Sequence, residues 1–347
     1  MQIDFHHAVT YILARWAGFD PQEANIIAYS AQYVDDAKHT GFVQFDEGQI
    51  YSRIASAHRM IDARNLIAIE DAKTWVPFHF LPGNIPSDGD FKQRIRCVQN
   101  SPLAQEMLEE CLRVGKTRPD IGLYRLGITM HVYADTWAHK GFAGIDDAIN
   151  DVSDIRIIAP VGYTKPRASF MSYTLAYLGH AQVDTCPDFP FLHWEYEDST
   201  GNTVVRDNTN DFVDAADKIL QFMREYRAQT VTQHNGCTSE QRGYLREKFS
   251  VIQSDDEDER HKEWLRLIKT GDVPGIPGEN VEYSKDGVHS WKYMALGTTD
   301  NSEEDGTPLP YPVGFLNSSW RLFHDALQHH RLFVLTELLP KYGICAA

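Results

Sequence analysis

The sequence predicts an all-α fold, a multi-helical bundle broken by one small β-hairpin and one long irregular loop. Three observations predict it. Apolar residues recur at helical spacing along most of the 347 residues. Helix-start chemistry appears at Asp20-Pro21-Gln22-Glu23, an N-cap followed by proline at the first helical position. Clear strand-like alternation is confined to residues 191–206.

The first helix runs from Phe5 to Ala17 and stops at Gly18. The second, from Ala24 to about Val34, runs into Asp35-Asp36. Residues 49–72 read as helical, with Tyr51, Ile54, Ala55, His58, Ile61 and Ala63 on one side. Trp75 to Asn84, rich in proline and aromatics, reads as a compact non-helical turn carrying His79. Further helices are predicted over 101–115, 119–140, 165–180, 210–229, 239–253, 258–269 and 316–338. The alternation in 191–206 surrounds a Gly201-Asn202 turn signal and predicts a hairpin insertion within 185–210. Residues 271–315, rich in Gly, Pro, Asp and Ser, read as an irregular excursion of the kind that serves as a lid or binding loop. The acidic run 254–260 is a solvated helix start, favoured by the helix dipole. The whole chain reads as one helical domain.

Composition narrows the function. A formal net charge of −16 argues against a broad nucleic-acid surface, which needs a basic footprint. It leaves phosphate chemistry open, because bound divalent cations reverse a local field. The five cysteines are scattered, with no CxxC pair, so neither a disulfide framework nor a thiolate zinc knuckle is expected. The start of the chain, with an acid and two histidines before any apolar run, does not resemble a signal peptide. No apolar run reaches the roughly 20 residues of a membrane span. The expected location is the cytoplasm.

The chemistry is concentrated in His131-Val-Tyr-Ala-Asp135-Thr-Trp-Ala-His139. On a helix these three ligands fall within an arc of roughly 80°. His131 and His139 are then about 12 Å apart along the axis, too far for one ion with ligands at about 2 Å. Metal binding here therefore requires at least two ions, with Asp135 between them. His180 and Asp184 repeat the i, i+4 pairing. His79, Asp35, Asp36, His6 and His7 are further candidates. Histidine and carboxylate donors suit zinc, or zinc mixed with manganese or iron, better than calcium or magnesium. The plainer alternative is a buried hydrogen-bond network, because acids at i+4 from a histidine also occur at His58–Asp62 and His193–Glu197. Asp135 flanked by two histidines on an apolar face favours metal, since such groups are costly to bury unpaired. His324-Asp325 is an HD doublet, but no aspartate follows it to complete an HD-type phosphohydrolase. His324, His329 and His330 read as faces of an amphipathic helix.

In chain order, His6 or His7, Asp35 or Asp36, His79-Phe80, His131-xxx-Asp135, His139 and His180-xxx-Asp184 form a set that resembles the zinc-dependent phospholipase C and P1/S1 nuclease superfamily. The resemblance lies in spacing and spans about residues 5–184. It implies an all-α hydrolase with two or three clustered ions. The first would be held by Asp36 or Asp35 with His79, His131 and Asp135, and the second by His139, His180 and Asp184. The third would take His7 or His6, with Asp135 bridging. In that family an amino-terminal Trp supplies its amine and carbonyl to a metal. Here His6 and His7 are the candidates to replace it.

The function this implies is a metal-dependent phosphoester hydrolase acting on a small phosphoester, of phosphodiester or phospholipid-headgroup type. Asp35 or Asp36 would be the catalytic group that accepts the proton of the attacking water. Residues 271–315 and the hairpin, with Trp194 and Tyr196, are expected to shape the substrate pocket. The alternative function is a non-catalytic, metal-stabilised scaffold or interaction protein.

Overall fold

The computed structural model describes residues 1–57, 68–163, 179–230, 234–298 and 306–344. A π-helical turn, Asp4–Val9, leads into α1 (Thr10–Ala17), which Gly18 ends in the left-handed conformation at φ 93°. Helix α2 (Pro21–Asp36) begins with a full capping box. Asp20 accepts from the backbone of Gln22 and Glu23, and Glu23 reaches back to the Asp20 amide at 3.1 Å. Strands β1 (Gly41–Gln44) and β2 (Ile50–Arg53) follow, then α3 (Ala68–Phe78), the short α4 (Phe91–Arg94), α5 (Pro102–Thr117) and α6 (Pro119–Ala138). Next come β3 (Val152–Ala159), β4 (His193–Asp198) and β5 (Thr203–Asp207). The chain continues through α7 (Asn208–Ala228), α8 (Ser239–Val251), α9 (Glu257–Thr270), the short α10 (Trp291–Leu296) and α11 (Ser319–Phe333).

The all-α expectation is corrected. Helix accounts for 55% of the structure, but 11% is strand, in two small antiparallel sheets. Residues 41–53 obey a period of two: Phe42 is 63% exposed while its neighbour Val43 is fully buried. Their ladder pairs Gly41 with Arg53 and Gln44 with Ile50. The helix expected from residue 49 therefore gives way to a strand at its start. His58, Ile61 and Ala63 lie outside the described residues, as do 164–178, most of the helix expected at 165–180. The 191–206 hairpin forms as β4 and β5, with β3 added along the outer side of β4. β3 was not expected. Its Ile155 and Ile157 alternate toward the apolar cluster, which is a strand pattern too short to stand out. Trp75 to Phe78 are also helical, forming the last turn of α3 with Pro77 inside it. His79 follows directly, its amide donating to the Trp75 carbonyl at 2.9 Å.

Helix α6 positions the site. It packs against α2, α5, α7 and α11, and almost every residue from Ile121 onward is buried, as befits a helix surrounded by others. Gly127 permits its contact with α2. A Cβ there would lie 2.3 Å from the Ile27 carbonyl oxygen. The 271–298 stretch is irregular apart from α10, and it folds back onto α1 and α2. Glu279 takes a bidentate pair from Arg15 and a hydrogen bond from Tyr11, and Trp291 stacks on Tyr29 at 3.9 Å. No helix of the described residues is long and apolar enough to cross a membrane.

Candidate metal centre

His131 and Asp135 share one face of α6, and His139 caps its end. The last turn of α2 brings Asp35 to that face, the end of α3 brings His79, and the π-helical turn brings His6. His131 Nε2 and His79 Nδ1 are 3.2 Å apart, and each is 3.3 Å from Asp135 Oδ2. Asp35 Oδ1 is 3.8 Å from both nitrogens. A tetrahedral ion with bonds of about 2.0–2.1 Å sets its donors about 3.3–3.4 Å apart, so His79, His131 and Asp135 have the spacing of three donors to one first-row ion, with Asp35 beside them.

The outward ring nitrogens strengthen that fit. His131 Nδ1 donates to the Ala31 carbonyl at 2.7 Å, and His79 Nε2 donates to that of Ser56 at 2.9 Å. His139 Nδ1 donates to the His79 carbonyl at 2.7 Å, and His180 Nδ1 to that of Asp184 at 2.8 Å. A carbonyl only accepts, so each of these nitrogens carries a hydrogen, and a ring without a second proton turns a bare lone pair inward. Lone pairs and carboxylates converging in a buried space repel one another unless a cation lies between them. His6 makes the same case: it is fully buried, and neither ring nitrogen makes a hydrogen bond among the described residues.

Asp135 divides its oxygens. Oδ2 faces His79 and His131, while Oδ1 lies 3.2 Å from His6 Nε2 and 2.6 Å from the Met1 amino nitrogen. A second group forms beyond it from His139, His180 and Asp188, with Nε2-to-carboxylate distances of 3.9 and 3.8 Å. His6, Asp35 and His131 make a third group, the His6 and His131 rings stacking at 3.8 Å.

Burial alone would raise the Asp135 carboxyl, but His139, the Met1 ammonium, His131 and His6 outweigh it and hold it well below the usual range. Burial pushes the His139 imidazole down to about 3, and burial with His131 beside it holds His6 well below its ordinary value. Burial raises the Asp35 carboxyl. A cavity of about 420 Å³ opens over the groups, lined by Asp35, Lys38, Trp75, His79, His139 and His180 among others.

Three expected ligands lie elsewhere. His7 turns away, its Nδ1 2.9 Å from His261 Nε2, because successive helical residues point roughly 100° apart and only His6 faces α6. The same step separates Asp36 from Asp35. Asp36 accepts from Tyr283 Oη at 2.7 Å and from Gln32 at 3.2 Å. Asp184 is not on an α-helix. A 3₁₀ turn, Ala181–Val183, leads into it at φ 55°, and its carboxylate joins none of the three groups. Asp188, unexpected from spacing, takes that place from the next 3₁₀ turn, Cys186–Asp188. Pro187 was the available signal, since it limits how far a helix through His180 and Asp184 can run. The Met1 nitrogen was also unexpected here. Trp194 and Tyr196 do not line the cavity; both are buried in an apolar cluster with Phe142 and Phe189.

No curated protein and no solved structure matches the chain. A family model covers residues 1–338, and the chain therefore belongs to that family, described as a family of unknown function, DUF6765.

Proposed function

We propose that the protein is a metal-dependent phosphoester hydrolase, with a centre of two or three zinc-type ions acting on a small phosphoester in the cytoplasm. The observation that carries this reading is the donor set His79, His131 and Asp135, spaced 3.2–3.3 Å apart with the outward ring nitrogens tied to carbonyls and Asp35 3.8 Å from both inward nitrogens. Asp135 would bridge from these to His6, and His139, His180 and Asp188 would hold the next ion. Ions bound there would supply Lewis acidity toward phosphoryl oxygens and lower the pKa of a water.

The chain's own groups do the rest. Asp35, 32% exposed toward the cavity, is the carboxylate placed to take the proton of an attacking water. Asp36 is engaged by Tyr283 and is set aside for that role. Lys38 at the cavity wall brings positive charge to a phosphoryl group. Buried free thiols at Cys97, Cys111 and Cys186 accord with a reducing compartment.

The test is turnover of bis-p-nitrophenyl phosphate by protein loaded with zinc or manganese. Hydrolysis abolished in Asp35→Asn, with bound metal retained, supports the reading. Firmly bound metal with no turnover of any phosphodiester or monoester would leave a metal-stabilised scaffold instead.

A further inference from the structure

A second hollow, of about 430 Å³, adjoins the metal-site cavity, and Lys38 lines both. The end of α2 forms the divide: Asp35 faces the metal groups, and its neighbour Asp36 faces the second hollow. Among the described residues the second hollow is walled by Lys38, His39, Lys285 and Lys292, with Asp36 and Asp286 as its acids. Asp36 is already engaged, by Tyr283 Oη at 2.7 Å and by Lys38 at 3.6 Å. In a chain carrying 33 Lys and Arg against 49 Asp and Glu, the described lining of this hollow carries three lysines against two acids, the reverse of the prevailing balance. Lysine ammoniums on flexible stems form charge-assisted hydrogen bonds to phosphate oxygens from several directions. A ligand lying across Lys38 would present one phosphoryl group to the metal donors and another to these lysines.

We propose that this hollow is an anion subsite for a second phosphate, so that the substrate class is a small phosphoester bearing a further phosphate group. The assignment of the scissile end rests on the hydrolase reading above. The lysine subsite stands on its own geometry. It also gives a strongly acidic protein a local set of cations for a doubly anionic substrate.

Calorimetric titration of the zinc-loaded protein with trimethylene bisphosphonate and with propylphosphonate tests this without turnover. The expected result is binding of the bisphosphonate about tenfold tighter or more, as one or two charge-assisted hydrogen bonds supply. The double variant Lys285→Gln, Lys292→Gln keeps most of each stem. It should abolish the preference and leave propylphosphonate affinity unchanged. Equal affinities in the unaltered protein, or a preference that survives the double variant, overturn the subsite. Propylphosphonate binding that persists after chelation would instead sink the metal reading. A lysine-dependent preference for the bisphosphonate would still support the subsite in that case.

Discussion

Asp135 is the residue on which the centre turns, because its two oxygens face different partners: His79 and His131 on one side, His6 and the Met1 nitrogen on the other. An amide in its place keeps the shape but offers one weak acceptor and one donor. Asp135→Asn is therefore expected to lower zinc content by at least one ion per chain after dialysis, read by elemental analysis, with the helical circular dichroism retained. Full zinc content in that variant would remove Asp135 from the ligand set. A sharper comparison separates Asp188 from Asp184. Only Asp188 has its carboxylate near His139 and His180, while Asp184 contributes its backbone carbonyl to His180 Nδ1. Asp188→Asn should weaken zinc affinity by about 10–100-fold or more, and Asp184→Asn should barely change it. The reverse order in a competition titration against a chromophoric chelator would contradict the placement.

At the scale of elements, the site exists because α2 and α6 approach closely enough for Asp35 to meet His131. Gly127 is a point of close approach, where a methyl group would press on the Ile27 carbonyl and on Ser30 Cβ at 2.6 Å. Gly127→Ala is expected to cost about 1–3 kcal/mol of stability in urea denaturation, as overpacking does, and to slow hydrolysis by moving Asp35 outward. Ser30→Gly should not rescue it, since the Ile27 backbone remains in the way. Full rescue would place the clash elsewhere. The same packing explains what could be read in advance. Spacing within one helix placed His131 and Asp135 together, and the Asp20–Glu23 box marked the start of α2, because those features are local. The choice between Asp35 and Asp36, or between His6 and His7, depends on how a helix is rotated against α6, and tertiary contact decides that. Asp188 depends on two consecutive 3₁₀ turns that no periodicity announces. The strands at 41–53 and 152–159 were missed because four to eight residues of alternation are outweighed by apolar positions that also fit a helical spacing.

Across the whole molecule, buried histidines link stability to pH. Burial lowers His139 and His324 to about 3 and His261 to about 4, and it holds His6, His7 and His330 well below the ordinary value. They are distributed over the amino-terminal turn, the end of α6, α9 and α11. All six are neutral in the folded chain near neutral pH, whereas an unfolded histidine takes up a proton near 6.5. Between about 6.5 and the lowered folded values the unfolded state binds more protons, so stability rises with pH and is lost as pH falls through that window. His131 acts in the opposite sense, because Asp135 and Asp35 raise it despite its burial, and so do the carboxyls of Glu257, which burial raises to about 7, and Asp35; these are three groups against six histidines. His324 tests the argument away from the metal groups. It packs against Trp320 at 4.6 Å, Phe323 at 5.4 Å and Tyr33 at 6.4 Å, surroundings that accept another aromatic ring. His324→Phe forfeits the hydrogen bond with the Ile54 backbone, which shifts stability at every pH alike. What it should change with pH is the slope. A histidine kept neutral in the fold contributes up to about 1.4 kcal/mol per pH unit across the window, and the variant lacks that share. Urea midpoints measured from about pH 7 to about pH 5 at fixed metal should therefore fall less steeply in His324→Phe than in the unaltered chain. Parallel lines for the two proteins would mean that His324 takes up its proton in the folded state.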